Sequence, residues 1–191
     1  MSRGRLEAFS DGVIAILITI MVLELHAPEG TDLLALEPLG SVFLSYVLSF
    51  ALLGVYWNNH HHLLQASKAV DGRVLLANLH LLFWLSLLPF ATAWMGSSGF
   101  SPVPTALYGA VLLLAAIAFF LLVRALIAVT GQTSTLANAI GSDRKGKVSP
   151  VLFALAIPLA MVAPALAFAL YTAVVLIWVV PDRRIERSLA S

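Results

Sequence analysis

Arg5-Leu6-Glu7-Ala8-Phe9-Ser10-Asp11 runs straight into Gly12-Val13-Ile14-Ala15-Ile16-Leu17-Ile18-Thr19-Ile20-Met21-Val22-Leu23, and the rest of the chain reads as scaffold for this segment. An acid set a few residues inside a membrane-length apolar run is costly in hydrocarbon and marks either a function or a buried partner. Asp11 is that acid. Wound as a helix at about 100° per residue, the segment places Gly12, Thr19, Ile20 and Leu23 within about 60° of Ile16, and turns Glu7, Ser10 and Asp11 more than about 110° away from it. The expected helix has an apolar front and a polar back. A proton-relay or metal-binding helix would turn its acids to an aqueous cavity instead. The front is therefore either a helix-packing face or the wall of a narrow pore.

Of 191 residues, 60% are hydrophobic and 11% are charged, against roughly 25% charged in an average soluble protein. Such a chain belongs in a bilayer. The absence of cysteine excludes disulfides, thiolate metal sites and cysteine nucleophiles, and leaves the redox compartment open. The first apolar run is followed by Glu24, His26, Pro28 and Glu29 rather than by a small-residue cleavage site, so it reads as a retained span.

Nearly uncharged runs cover residues 9–25, 39–59, 74–95, 105–129 and 147–181. A hydrocarbon core of about 30 Å takes about 20 helical residues to cross, so the first four runs supply one crossing each. The last is too long for one helix, and Pro150, Pro158 and Pro164 offer places to bend or turn. Dividing it near Ala163-Pro164 predicts six helices, over roughly 5–26, 39–64, 74–96, 104–129, 147–163 and 164–181, in a single all-α transmembrane domain spanning 1–191.

Charge placement supports six spans over five. All eleven Lys and Arg residues fall at alternate ends: Arg3 and Arg5, Lys68 and Arg73, then Arg124, Arg144, Lys145 and Lys147, then Arg183, Arg184 and Arg187. The opposite loops, 26–38 and 96–104 and the turn near Pro164, carry none, and the first holds Glu29, Asp32 and Glu37. The positive-inside rule then predicts a multi-pass protein with both termini on the cytoplasmic side, and the cell (plasma) membrane is its expected location. Five spans would export the arginine tail. The polar loop 130–147 reads as a solvated cytoplasmic connector whose cations orient the chain or touch anionic lipid, not as a nucleic-acid site. The alanines of the last two spans, among them Ala154, Ala156, Ala160, Ala165, Ala167 and Ala169, predict close helix contact.

This topology brings three polar sets to one depth: Arg5, Ser10 and Asp11; Trp57, Asn58, Asn59, His60, His61 and His62; and Asn78 with His80. Polar groups in a bilayer need partners in the protein or a wet cavity. Asp11 is expected to accept from the Trp57 indole, the His60 imidazole or the Asn78 amide, with Ser10 sharing the network. The other reading leaves Arg5, Glu7 and several histidines in the headgroup layer. Successive helical residues diverge by about 100°, so His60, His61 and His62 cannot all ligate one ion from one helix, and no metal site is expected. No nucleophile elbow, phosphate loop or catalytic carboxylate pair is present, so the chain does not read as an enzyme.

Arg5-x-x-x-Phe9-Ser10-Asp11 opening the first helix resembles the signature of the transmembrane protein 175 family of potassium channels, as do Trp57-x-x-His60 ending the second helix and Asn78 with Leu88-Pro89-Phe90 in the third. The resemblance implies a bacterial-type homotetramer with one six-helix repeat per chain, in which four first helices line a potassium-permeable pore. It implies a constriction at Ile16, Ile20 and Leu23, with Thr19 at a hydroxyl position beside it, and a pore-helix anchoring network of Arg5, Phe9, Ser10, Asp11, Trp57, His60 and Asn78. No cofactor is expected, only permeating monovalent cations.

With no Thr-Val-Gly-Tyr-Gly loop in the chain, a ring of Ile and Leu side chains would conduct while wet and close by dewetting, giving modest preference for potassium over sodium. Glu24, with Glu29, Asp32 and Glu37, would make the outer mouth negative, or is simply part of an acidic loop. The alternative function is a secondary transporter or proton-coupled carrier relaying through Asp11 and His60, which related broken helices in both halves would support. Pro158 and Pro164 have no counterpart in the first half.

Overall fold

The computed structural model describes residues 2–67, 69–131 and 144–179, and every regular element in them is a helix. Helix α1 spans Arg3–Met21 and tightens into a 3-10 turn at Val22–Glu24. A 3-10 stretch at Leu33–Leu39 leads into α2, Gly40–Gln65. Then come α3, Gly72–Ser86; α4, Leu88–Ser97; α5, Pro102–Thr130; α6, Arg144–Val162; and α7, Pro164–Val179. Lys68, residues 132–143 and the basic tail with Arg183, Arg184 and Arg187 lie outside the described residues.

Among the described residues, five segments are long and apolar enough to cross a membrane: Arg3–Glu24, Leu33–Gln65, Gly72–Ser97, Pro102–Thr130 and Lys145–Val162. Helix α7 is a shorter apolar helix of 16 residues. The expected third crossing is two helices, α3 and α4, that meet at Leu87. Pro89 sits at the start of α4. A proline has no N–H to donate and its ring presses on the carbonyl four residues back, so the helix tightens at Leu87, whose N–H bonds the Trp84 carbonyl at 3.2 Å, and restarts beyond it. Pro150 and Pro158 leave α6 continuous, and the long last run breaks at Ala163.

Local chemistry fixes the ends. The Asp71 carboxylate accepts from the Arg73 and Val74 amides at 2.9 and 3.0 Å, capping α3. Pro102 opens α5, where its missing N–H costs nothing. Gly99, at φ 60°, closes α4 in the left-handed conformation that a residue without a Cβ adopts freely.

Helix α5 is the central post, packed on α3, α4, α6 and α7, while α1 lies against α2, α3 and α4. Lipid is as apolar as leucine, so the packing relies on close approach and interhelical hydrogen bonds. Buried Ser49 supplies two of these bonds, to Thr92 at 2.7 Å and Tyr108 at 2.9 Å, joining α2, α4 and α5. Tyr171 donates to the Thr105 carbonyl at 3.0 Å and ties α7 to α5. Its ring lies so close to Gly109 that a Cβ there would collide with the phenol. Ala156, Ala160 and Ala167 are fully buried at such contacts, whereas Ala154, Ala165 and Ala169 face outward. The outward set needs a partner or lipid from outside the subunit.

Candidate functional site

Helix α1 is bound to the subunit along one face. Leu6, Ser10, Ile14, Leu17 and Met21, at helical spacing, are its buried residues. Within that face, buried Asn78 of α3 donates from Nδ2 to the Ser10 hydroxyl at 3.0 Å, and Ser10 donates to the Leu6 carbonyl at 2.9 Å. The Asn78 Oδ1 lies 2.7 Å from Nε2 of buried His60 on α2. An amide oxygen only accepts, so Nε2 carries the proton and His60 donates, by assignment from the network. His60, Asn78 and Ser10 thus link α2 and α3 to α1. The other ring nitrogen of His60 has no hydrogen-bond partner among the described residues.

A second contact runs along the edge of that face. The Trp57 indole donates to the Asp11 carboxylate at 3.0 Å. One turn away, His61 Nδ1 lies 2.9 Å from the Glu7 carboxylate, and its Nε2 meets the Gln65 side-chain amide at 2.9 Å. The rings of Trp57 and His61 stack at 6.0 Å and 21°. Arg3 completes the docking, donating from Nη1 to the Gln65 and Ser67 carbonyls at the end of α2, where a cation also suits the helix dipole.

Of the seven residues expected to anchor the helix, the structure brings together Ser10, Asp11, Trp57, His60 and Asn78, in two separate groups. Asp11 and His60 share no hydrogen bond: the first takes Trp57, the second Asn78. Arg5 and Phe9 stand apart. Arg5 is exposed and has no polar partner among the described residues, and Phe9 is 49% exposed. The helical angle explains Phe9, which lies about 20° from Ile16 and so shares the outward face. Glu7 and His61 join the docking although no motif named them. Their signal was spacing: Glu7 and Asp11 are four apart on one helix, Trp57 and His61 four apart on the other, so each pair shares a face.

The opposite face of α1 is bare. Ile16 is 57%, Ile20 43% and Leu23 71% exposed, and Gly12 and Thr19 are exposed with them. The Thr19 hydroxyl donates back to the Ala15 and Ile16 carbonyls at 3.1 and 3.0 Å, which turns its oxygen lone pairs outward. Glu24 is exposed in the turn after α1, and its carbonyl lies 3.1 Å from His26 Nδ1. Among the described residues, no three His, Cys, Asp or Glu side chains converge to hold a metal ion.

A bundle of membrane-length helices, with one helix docked by polar bonds on its rear and bare along its front, defines a multi-pass membrane protein. The chain matches a family model described as endosomal/lysosomal potassium channel TMEM175 over residues 5–89. It is 51% identical over 189 residues to a protein of Chryseobacterium sp. (strain P1-3) described as a potassium channel, a match covering 99% of this chain and 98% of that one. It is 38% identical to human TMEM175, described as an endosomal/lysosomal proton channel, over 44% of this chain and 19% of the human protein. Its fold matches the crystal structure of a lysosomal potassium-selective channel TMEM175 homologue from Chamaesiphon minutus with a TM-score of 0.76 at 26% identity, covering 93% of this chain and 96% of that one. The chain belongs to the TMEM175 family, a family of ion channels rather than enzymes.

Proposed function

We propose that this protein is a potassium-permeable channel in which four copies set the bare faces of α1 around one axis. The observation that carries the reading is the asymmetry of α1: polar bonds and buried side chains hold its rear, while Ile16, Ile20 and Leu23 on its front are 57%, 43% and 71% exposed. A hydrophobic face 40–70% open to solvent is costly in a water-filled setting and unremarkable in lipid, so exposure alone does not choose between lipid and pore. The docking supports the pore: polar bonds fix the rear of α1, as a pore wall that must keep its radius requires.

In this reading Ile16, Ile20 and Leu23 form stacked rings that conduct when wide enough to stay wet and close by dewetting. The larger and more weakly hydrated potassium ion crosses such a ring more readily than sodium, which gives modest selectivity. Four Thr19 oxygens replace part of the lost hydration. Glu24 rings the outer mouth and concentrates cations, and Phe9 lies toward the other mouth on the same face. The docking groups act as the anchoring network, with Arg5 free at the cytoplasmic surface. Both termini are cytoplasmic, the whole chain forms one domain, and the protein resides in the plasma membrane.

The test is flux from liposomes loaded with potassium. A channel passes potassium when only an electrical gradient is imposed, with a reversal potential that shifts modestly toward potassium in potassium/sodium mixtures. A carrier relaying protons through Asp11 and His60 moves potassium only when a proton gradient accompanies it. Flux that requires the second ion would replace the channel reading with the carrier. Because some relatives are described as proton channels, proton current is recorded in the same vesicles.

A further inference from the structure

A cleft of about 170 Å³ lies between α2, α5, α6 and α7. Its walls are apolar, with Leu52, Val55, Ala116, Phe119, Val123 and Phe153 contributing. One end is different. Arg124 from the last turns of α5, Lys147 from the first turn of α6 and Trp178 from the end of α7 all border it there. The Trp178 indole donates to Ser149 at 2.8 Å, and the Lys145 ammonium lies 5.9 Å over its ring. Arg124 lies 5.9 Å over the exposed Phe120 ring. Among the described residues lining the cleft there is no Asp or Glu. The site is therefore an apolar slot with a cationic rim.

We propose that this cleft holds an anionic phospholipid of the surrounding bilayer, its phosphate between Arg124 and Lys147 and one acyl chain against the apolar wall. The chemistry of the two ends selects that occupant. A guanidinium matches phosphate oxygens two at a time, and a tryptophan with its N–H bonded and its ring in contact with chains suits headgroup depth. A zwitterionic lipid brings a second, positive headgroup to a rim that is already basic. The inference is independent of the conduction reading.

The full chain is reconstituted in phosphatidylcholine vesicles containing increasing fractions of brominated phosphatidylglycerol or of brominated phosphatidylcholine, and tryptophan quenching is read. The chain has four tryptophans, so the Trp178→Phe variant supplies the contribution of the other three. The expected result is stronger quenching of the Trp178 signal by the anionic lipid, with that preference falling about fivefold for each cation removed in Arg124→Gln and Lys147→Gln. Ala116→Phe fills the slot and keeps both charges, and abolishes the preference; Ala116→Leu gives the same reading with a smaller side chain. Equal quenching by the two lipids overturns the proposal. So does a preference that survives both fillings, which is diffuse surface charge. Protection of Trp178 from either lipid also overturns it, because another copy of the chain then covers the cleft.

Discussion

Asn78 is the residue through which the docking of α1 is most concentrated, because one buried amide satisfies His60 on one side and Ser10 on the other. Replacing it with leucine strands the His60 Nε2–H where water cannot reach it, at a cost of about 1–3 kcal/mol, while Ser10 keeps its bond to the Leu6 carbonyl. Trp57→Phe removes a single bond to a partly exposed carboxylate, and interhelical bonds in membrane proteins average about 0.6 kcal/mol. Thermal unfolding in detergent should show the order: a midpoint lowered by several degrees in Asn78→Leu and by about 1–2 °C in Trp57→Phe. The reverse order would place the anchor at Asp11 instead. Much of this cluster was legible in the sequence, since polar residues at one membrane depth must find one another. Its pairing was not. Asp11 had three candidate donors, and only the relative rotation of α2 and α3, which sequence periodicity leaves free, assigned Trp57 to it and Asn78 to His60. The same freedom hid Glu7 and His61.

At the scale of elements, the α5–α7 contact shows how little slack the bundle has. Gly109 faces the Tyr171 phenol, which in turn holds the Thr105 carbonyl. Gly109→Ala improves the intrinsic helix propensity of α5 by about 1 kcal/mol, yet its methyl group must displace a fully buried ring, at a cost of about 1–3 kcal/mol. The net expectation is destabilisation, and Tyr171→Phe added to it should recover part of the loss by shortening the colliding side chain. A double variant no more stable than Gly109→Ala in chemical unfolding would show that the strain lies elsewhere. Apolar run length and alternating charge gave six expected crossings; the third is two helices in the structure, and the last run divides at Ala163. The kink at Leu87 was carried by Pro89, visible in Leu88-Pro89-Phe90 but embedded in a run, 74–95, without a charged residue to mark a break. The alanines misled for a related reason: composition says that close approach is available, while only packing says which side uses it.

At the scale of the whole molecule, the bare front of α1 predicts where permeation is controlled. In the proposed assembly, an asparagine in place of Ile16 or Leu23 sets a ring of amides where a ring of alkyl groups would stand. Amides hold water by hydrogen bonding, so the constriction stays wet at a radius where the alkyl ring dries. Single-channel recording of Ile16→Asn and Leu23→Asn should therefore show conductance raised severalfold, and the reversal potential in potassium/sodium mixtures should move toward zero as partial dehydration ceases to discriminate. Exposure alone does not produce this effect. Leu155 on α6 is as exposed as Ile16, at 57% each, so Leu155→Ala serves as the control and should leave both quantities unchanged. The rear of α1 makes a complementary prediction, because Asn78→Leu loosens the clamp without touching the front: it should lower the number of active channels far more than the conductance of each. If both asparagine variants assemble and conduct as the parent does, the front of α1 faces lipid or a neighbouring helix, and the ion's path must be sought along another surface.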